Sequence, residues 1–146
     1  MEYVIFDIDG TLALRDEGPD GRSPFDWDRV GEDLPNVPVV KLAHAMYSQN
    51  YRLAFMTGRM EQCRDATQKW LEFYLPFLND YEMFPSWPLV MRPDGDYTED
   101  DILKKQMFLD RFSTDRIAFV VDDRDRVVKM WRSLGLTCLQ VAEGEF

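Results

Sequence analysis

YVIFDIDGTL, residues 3–12, is the stretch that decides the fold. Its first four residues are β-branched or aromatic, which predicts a strand at residues 3–6. Asp7 and Asp9 follow this strand, and Gly10 permits the turn that comes next. The stretch therefore predicts a strand that places two carboxylates at its carboxyl end.

The rest of the chain alternates between helical and strand patterns, which favours a parallel sheet with helices on both faces. Helices are predicted at about residues 37–49, 61–74 and 98–112, and a last helix carries Val127, Trp131 and Leu134 and ends at Gly135. Strands are predicted at residues 52–56, 117–121 and 137–141, with a short apolar stretch at residues 89–91. We expect an α/β fold in a single domain that spans residues 1–146.

Two segments are rich in glycine or proline and predict irregular structure. Residues 12–36 contain three glycines and three prolines, which is typical of loops or a small hairpin. Residues 76–98 contain four prolines. At the end of this second segment, Thr98 and Asp101 predict a capping box, in which Thr98 caps the next helix and Asp101 reaches back.

The charge balance limits the classes of function. Lys and Arg total 17 and Asp and Glu total 27, which gives a net charge of −10. This balance disfavours a broad electrostatic contact with nucleic acid or with an anionic membrane. A polyanionic substrate would therefore need a local cationic pocket.

Histidine and cysteine usage narrows the classes further. His44 is the single histidine, so neither a Ser-His-Asp triad nor a multi-histidine metal site is expected. Cys63 and Cys138 form no CxxC pattern and are interpreted as buried apolar residues. The sequence shows no signal-peptide pattern and no apolar run of about 20 residues, so we expect a cytoplasmic protein without a membrane partner, in the host cytoplasm if it is viral.

Four separate segments bring polar groups to one edge of the predicted sheet. Ligands of such sheets bind at the carboxyl ends of the strands. The first segment holds Asp7 and Asp9, and the others hold residues 57–59 (Thr-Gly-Arg), Lys104 in the second turn of a helix, and the pair Asp122 and Asp123. Their convergence predicts a catalytic site.

The chemistry of these groups points to transfer of a phosphoryl group. Close carboxylates repel each other unless a cation intervenes, and a set of oxygen ligands from Asp7, Asp9, Asp122 and Asp123 suits Mg²⁺. Asp7 can then attack phosphorus in line. Asp9 can protonate the leaving alkoxide and later deprotonate water, while Thr57 and Lys104 hold the phosphoryl oxygens.

Each motif also has an ordinary interpretation when taken alone. Asp-x-Asp-Gly is a common turn, and Asp100 with Lys104, at positions i and i+4 of a helix, is typical of a surface ion pair. The pair Asp122 and Asp123 is also typical of the negative charge found at helix N-termini. Their common order and their positions at element ends favour the catalytic interpretation.

The four segments resemble the ordered motifs of the haloacid dehalogenase-like phosphatase superfamily. The resemblance covers nearly the whole chain. It implies a Rossmann-like three-layer sandwich, Mg²⁺, Asp7 as nucleophile and Asp9 as acid and base. It also implies a metal ligand from Asp122 or Asp123 and another from the backbone carbonyl of Asp9.

A narrower similarity is to the 3′-phosphatase domain of phage polynucleotide kinase-phosphatases. The stretches that are similar are residues 4–13, 22–26, 95–104, 122–132 and 140–146. This similarity implies that Arg22 and Arg59 contact the substrate phosphate and that Asp100 orients Lys104. Gly58, between Thr57 and Arg59, is also expected at the phosphate site. The chain lacks the G-x-x-x-x-G-K-[ST] loop, so the kinase activity is not implied.

Residues 12–36 are too few, and too rich in glycine and proline, for the helical cap of many relatives, so we expect a minimal cap and an open site. A small cap within residues 60–98 is left open. Such a site suits a 3′-phosphorylated DNA or RNA end, which five arginines would surround: Arg15, Arg22, Arg92, Arg124 and Arg126. These arginines are equally compatible with a solvated or carboxylate-paired surface. A homo-oligomer and a separate kinase or ligase partner are left open.

Three alternatives are weighed beside nucleic acid end repair. The first is a small-molecule phosphatase, such as a nucleotidase, with the same chemistry. The second is a signalling receiver domain, but there the acidic pair ends the first strand and the lysine follows the last, which is the reverse of the order seen here. The third is an inactive binding module, which the complete set of chemical groups disfavours.

Overall fold

The central strand β1 (Tyr3–Phe6) is buried on both faces, as its apolar sequence predicts. The structure is a computed structural model that describes residues 2–79 and 87–146. Side chains on a strand alternate between faces. Val4 and Phe6 pack into one apolar cluster and Ile5 into another on the opposite face.

β1 lies in the middle of a five-stranded sheet. The other strands of this sheet are β4 (Arg52–Met60), β5 (Leu89–Arg92), β6 (Ile117–Asp122) and β7 (Cys138–Gln140). The strand order is β5-β4-β1-β6-β7, and all four pairings are parallel. The predicted parallel sheet is confirmed.

Helices cover both faces of this sheet. On one face lie α1 (Val37–Ser48) and α2 (Arg64–Tyr74), which contribute Ala43 and Trp70 to the first cluster. On the other face lie α3 (Asp100–Arg111) and α4 (Asp125–Ser133), which contribute Phe108 and Trp131 to the second. The expected three-layer α/β sandwich is confirmed. Within residues 2–79 and 87–146, no helix combines the length and the apolar character needed to cross a membrane.

The segment between β1 and α1 forms the small hairpin that its glycines and prolines predict. Its strands are β2 (Ala13–Leu14) and β3 (Leu34–Pro35), which pair antiparallel, and a 3₁₀ helix at Trp27–Glu32 lies between them. This segment contains no α-helix, which agrees with the expected minimal cap. Part of the second irregular segment, residues 80–86 with Pro85, lies outside the described residues.

The predicted capping box at the start of α3 is wrong. The residue before the helix is Glu99, and no side chain caps the first turn. The hydroxyl of Thr98 instead donates to the Oδ1 atom of Asp96 at 2.6 Å, and the Thr98 amide donates to the same atom. Because this local turn occupies the threonine, α3 begins two residues later than predicted.

β4 is longer than predicted and continues through residues 57–59 to Met60. Its pairing with β5 shifts register between Thr57 and Met60. The Thr-Gly-Arg motif therefore lies at the carboxyl-terminal end of a strand rather than in the loop after it.

Candidate active site

Three buried carboxylates converge at the carboxyl ends of β1 and β6. Asp7 follows β1, Asp122 is the last residue of β6, and Asp123 comes next. The two strands are parallel neighbours, and the Asp7 amide donates to the Val121 carbonyl at 2.9 Å, which holds these ends together. One oxygen of each carboxylate lies within 4.8 Å of the others.

Lys104 joins this cluster from α3. Its Nζ atom donates to Oδ1 of Asp7 at 2.7 Å and to Oδ2 of Asp122 at 3.1 Å, and the residue is 1% exposed. Asp100, one helical turn earlier, places a carboxylate oxygen 3.8 Å from the same ammonium. The alternative of a surface ion pair between Asp100 and Lys104 is therefore wrong, because Lys104 is buried and Asp100 lies at the cleft rather than on an outer face of the helix.

The charge of this cluster is not balanced by protein groups. Three carboxylates against one ammonium leave two negative charges when all are ionised. Burial, followed by the charge of Asp122, raises the pKa of Asp7 well above its usual value, and burial also raises the pKa of Asp123. A divalent cation among these oxygens would supply the missing positive charge. The residues present thus fit a metal with a hard, oxygen-rich coordination.

Neighbouring groups fix the orientation of these carboxylates. The Thr11 hydroxyl donates to Oδ2 of Asp7 at 3.0 Å, and the Trp131 indole donates to Oδ2 of Asp122 at 3.1 Å. Gly10 has a φ of +81°, and a Cβ atom there would collide with the carboxylate of Asp123. Glycine is therefore required both by the turn and by the close approach of the Asp123 carboxylate.

Asp9 points away from the three carboxylates and toward two arginines. Arg59 donates from Nη2 to Oδ1 of Asp9 at 2.8 Å and from Nε to Oδ2 at 3.0 Å, and Arg22 donates from Nη2 to Oδ1 at 3.1 Å. The Asp9 side chain keeps 40% of its surface exposed. Its carboxylate is thus outside the cluster of three carboxylates, and the predicted ligand role of Asp9 rests on its backbone carbonyl.

The arginines also determine the ionisation of Asp9. Burial alone would raise the pKa of this carboxyl, but the charge and hydrogen bonds of Arg59, helped by Arg22, lower it below its usual value. Asp7 and Asp9 thus have pKa values displaced in opposite directions, although they are two residues apart. Such a divergence is typical of carboxyl pairs with different roles in one site.

Asp33 is the residue of this site that the sequence did not reveal. It is 2% exposed and accepts hydrogen bonds at 2.8 Å from Arg22 Nε, from Arg22 Nη2 and from Arg59 Nη2. Its backbone carbonyl accepts a bond from the Trp70 indole at 2.9 Å. It lies among many acidic residues in an irregular segment, where no spacing distinguishes it. Asp33 and Asp9 therefore share the two arginines in one buried network.

The Thr57-Gly58-Arg59 motif lies between the arginine network around Asp9 and the start of α3. The Thr57 hydroxyl accepts the Arg59 amide at 3.1 Å, and the Gly58 carbonyl accepts Arg92 Nε at 2.9 Å. A Cβ atom on Gly58 would collide with the carboxylate of Asp100. The glycine therefore lets β4 approach the start of α3, where Asp100 and Lys104 lie.

An open cleft of about 1650 Å³ gives access to this site. Its lining includes eight of the predicted site residues: Asp7, Asp9, Arg22, Thr57, Gly58, Asp100, Asp122 and Asp123. Lys104 and Arg59 are fully buried behind this lining. The structure thus brings all ten predicted site residues together, eight at the cleft surface and two beneath it.

All five arginines of the expected cationic rim line the cleft, but several are paired with carboxylates. Arg22 is bound to Asp33 as described above, and Arg92 donates to two carbonyls of residues 96–98. Arg124 lies 3.6 Å from Asp100, and Arg126 lies 3.4 Å from Glu99. The rim is therefore present and partly neutralised, so that both interpretations made from the sequence hold in part.

Comparison with known proteins relates this chain to a family. Residues 1–146 match the family described as the polynucleotide kinase PNKP phosphatase domain. A protein of Autographa californica nuclear polyhedrosis virus, provisionally assigned as a bifunctional polynucleotide kinase/RNA ligase, is 33% identical over 134 residues, which are 90% of this chain and 18% of that protein.

Solved structures show the same relationship. A chain of the Pnkp1/Rnl/Hen1 RNA repair complex is 35% identical, with a TM-score of 0.85 over 99% of this chain and 43% of that chain. The class C acid phosphatase from Bacillus anthracis with tungstate bound is 13% identical, with a TM-score of 0.57 over 99% of this chain and 68% of that one, and shares the fold. This chain spans less than half the length of the first two relatives. Because the family match extends from residue 1 to residue 146, the chain belongs to the PNKP phosphatase domains, a family of haloacid dehalogenase-like phosphatases.

Proposed function

We propose that this phosphatase removes the 3′-terminal phosphate from DNA or RNA, with Mg²⁺ and through an aspartyl-phosphate on Asp7. One observation supports this proposal above the others. The carboxylate of Asp7 lies in the lining of an open cleft, and both of its oxygens are held by fixed donors, Lys104 and Thr11. A carboxylate held in this way is oriented for attack on a phosphate that enters the cleft.

Attack by Asp7 begins the proposed reaction. The incoming phosphate is proposed to engage Arg22 and to place negative charge beside Asp9, which raises the pKa of Asp9 so that it takes up a proton. A carboxylate oxygen of Asp7 then bonds to phosphorus, the bond from phosphorus to the 3′ oxygen breaks, and Asp9 gives that oxygen its proton. Water then attacks the phosphorus while Asp9 accepts its proton, which releases inorganic phosphate and restores Asp7. Asp9 thus acts as the acid in the first half of the reaction and as the base in the second.

Asp7, Asp122 and Asp123, with the backbone carbonyl of Asp9, would hold Mg²⁺. When bound, the ion neutralises the cluster and the incoming phosphate. Lys104 donates to Asp7 and holds it in place. Because Lys104 is buried behind the cleft lining, its positive charge acts on the phosphoryl oxygens at a distance. Thr57 and the Gly58 backbone line the cleft directly and are the proposed donors to those oxygens.

The arginines divide into two roles in this proposal. Arg22 lines the cleft and is the proposed direct contact with the phosphate. Arg59 is fully buried and makes its bonds to Asp9, Asp33 and Thr67, so it supports the phosphate site by orienting Asp9. Asp100 is proposed to position Lys104.

A polynucleotide end is the proposed substrate because the cleft is open and lacks a helical cap over it in the described residues. The relatives named for RNA repair and for a polynucleotide kinase/RNA ligase support the same substrate class. In such a role, the 3′ hydroxyl produced by this reaction would be used by a ligase, and a kinase or ligase, on this chain or on another, is the proposed partner.

The test is phosphate release from a panel of substrates. The panel contains 3′-phosphorylated DNA and RNA oligonucleotides, 2′,3′-cyclic and 5′-phosphorylated ends, and free nucleotides. We expect the highest kcat/KM on a 3′-phosphorylated oligonucleotide, loss of activity with a chelator and recovery with Mg²⁺. Full activity in chelator would remove the metal from the mechanism. Faster turnover of free nucleotides than of every oligonucleotide would replace the proposal with a small-molecule phosphatase.

A further inference from the structure

Two aromatic rings are exposed in the lining of the catalytic cleft. Phe25 is 81% exposed and Tyr97 is 84% exposed, and both line the same cleft as Asp7. A single exposed ring is common on protein surfaces and means little. Two rings that share a cleft with a reactive carboxylate are available to whatever substrate enters it.

The backbone that carries Phe25 is fixed by an arginine of the site. Arg22, which binds Asp9 and Asp33, also donates from Nη1 to the carbonyls of Ser23 and Pro24, at 3.2 and 3.5 Å. The ring itself packs edge-on against Trp27, with 6.3 Å between ring centroids. The backbone next to Phe25 is thus held by hydrogen bonds, while most of the Phe25 ring is exposed to solvent.

The backbone that carries Tyr97 is fixed in the same manner. Arg92 donates from Nη1 to the carbonyls of Asp96 and Thr98, at 3.0 and 2.6 Å, on either side of the tyrosine. The same guanidinium binds the Gly58 carbonyl, which ties this loop to β4. The backbone that carries each ring is therefore fixed before a ligand arrives, which lowers the entropic cost of binding.

The charges beside these rings indicate the ligand. Arg15, Arg124 and Arg126 line the same cleft, while the whole chain has a net charge of −10. Carboxylates line the cleft as well, so these arginines are local cations rather than a continuous basic groove. Exposed aromatic rings beside such cations can bind single-stranded nucleic acid, because the rings stack on bases and the cations contact the backbone. In a duplex the faces of the bases are already stacked and would be closed to these rings.

We infer that Phe25 and Tyr97 form a stacking subsite for the bases nearest the phosphate of a single-stranded polynucleotide end. This inference rests on the proposed function, since it names how that substrate is recognised. The subsite selects a substrate by its bases, apart from the phosphate chemistry at Asp7. It therefore favours a polymer end with accessible bases over a free sugar phosphate.

The test compares two substrates with several variants of the full chain. One substrate is a single-stranded 3′-phosphorylated hexanucleotide, and the other is the same strand with abasic sugars at its last two positions. We expect Phe25→Ala and Tyr97→Ala each to raise KM on the first substrate by roughly 5- to 100-fold, the range for loss of one stacking contact. Tyr97→Phe should retain the wild-type KM, because it keeps the ring.

The effect of each alanine variant should be confined to the substrate that has bases. Phe73 is 75% exposed on α2 and does not line the cleft, so Phe73→Ala is the matched control and should equal the wild type on both substrates. Equal increases in KM on both substrates, or no increase on either, would overturn the stacking subsite. A wild-type protein that releases phosphate from neither substrate would instead overturn the proposed function.

Discussion

Asp7 is the residue whose replacement tests the chemistry most directly. Asp7→Asn preserves the size of the side chain and its contact with Thr11 but removes the nucleophilic carboxylate. We expect turnover to fall by about three or more orders of magnitude, as is typical for loss of a covalent nucleophile. Phosphate release on the preferred substrate of the panel measures this effect.

Beryllofluoride binding provides the control for that substitution. The anion combines with a carboxylate to mimic an aspartyl-phosphate, so it should raise the melting temperature of the wild type in Mg²⁺ and leave Asp7→Asn unchanged. The variant should otherwise fold normally, because Lys104 retains its bond to Asp122. Near-native turnover in Asp7→Asn would exclude the proposed covalent intermediate.

Asp33 is expected to matter for stability as well as for the position of Asp9. Asp33→Asn removes a buried charge that pairs with Arg22 and Arg59, both of which are nearly inaccessible to solvent. Removal of one partner from such a pair costs about 3 kcal/mol of the free energy of unfolding. Asp28 is exposed in the neighbouring 3₁₀ helix, so Asp28→Asn is the matched control. Urea unfolding of the two variants should differ clearly, and equal values would show that the network contributes nothing to stability.

The site residues that the sequence predicts are those next to recognisable strand ends. Asp7, Asp122 and Asp123 follow apolar runs, and that position alone predicts where they meet. Asp33 has no such marker, because it becomes functional only through two arginines that are 11 and 26 residues away. Contacts of this kind depend on how the hairpin packs against β4. No local pattern in the sequence indicates that packing.

At the level of elements, the types of helix and strand were predictable and their ends were less so. The apolar runs of β1 and β6 are unambiguous, and both were predicted within one residue. The extent of β4 was underestimated, because residues 57–59 are polar and resemble a loop. The predicted start of α3 is wrong because the Thr98 hydroxyl has two possible partners. It could accept from a helix amide, as the capping box requires, but in the structure it donates to Asp96.

The junction of β4 and α3 provides a prediction about Gly58. Gly58→Ala would force Asp100 away, and Lys104 lies one turn along the same helix. A shift of about 1 Å in a catalytic group can cost roughly 100-fold in rate, so we expect a loss of kcat of this order. Overpacking should also lower the free energy of unfolding by about 1–3 kcal/mol. Gly31→Ala is the control, since a Cβ atom there meets no neighbour. Wild-type kcat in Gly58→Ala would mean that this close approach is not required.

The start of α4 provides a prediction about pH. The Gly144 amide and then the Gln140 side chain donate to Asp125 and lower its pKa below the usual 3.8. The stabilising contribution of a carboxyl with a lowered pKa is present above the unfolded-state pKa and is lost as pH falls through the folded-state pKa. The Gly144 amide resonance should therefore titrate with a midpoint below 3.8, and this titration should disappear in Asp125→Asn. A midpoint above that value would contradict the bond. Ala142 and Phe146, on either side of Gly144, line the cleft. At acid pH, we therefore expect this C-terminal segment to be held less firmly against the site.

The whole molecule combines an acidic surface with a small cationic rim, and this combination determines how binding depends on salt. The chain has a net charge of −10, and Arg124 and Arg126 at the cleft already face carboxylates. Only a few backbone phosphates can then be neutralised when a polynucleotide binds. For single strands, each such contact contributes about −0.7 to the slope of log affinity against log salt concentration.

We therefore expect a slope of roughly −2 for a 3′-phosphorylated oligonucleotide, which corresponds to about three phosphate contacts. The measurement is 1/KM on that substrate over a series of salt concentrations at constant Mg²⁺. Arg15→Gln should reduce the magnitude of the slope by about 0.7, because Arg15 lines the cleft and its hydrogen bond goes to the Arg22 carbonyl rather than to a carboxylate. Lys69→Gln on α2 is the control, since Lys69 does not line the cleft. A slope steeper than about −5 would require contacts with many backbone phosphates. Such a slope would contradict a binding mode in which this acidic domain contacts only the terminal phosphate and the nearest nucleotides.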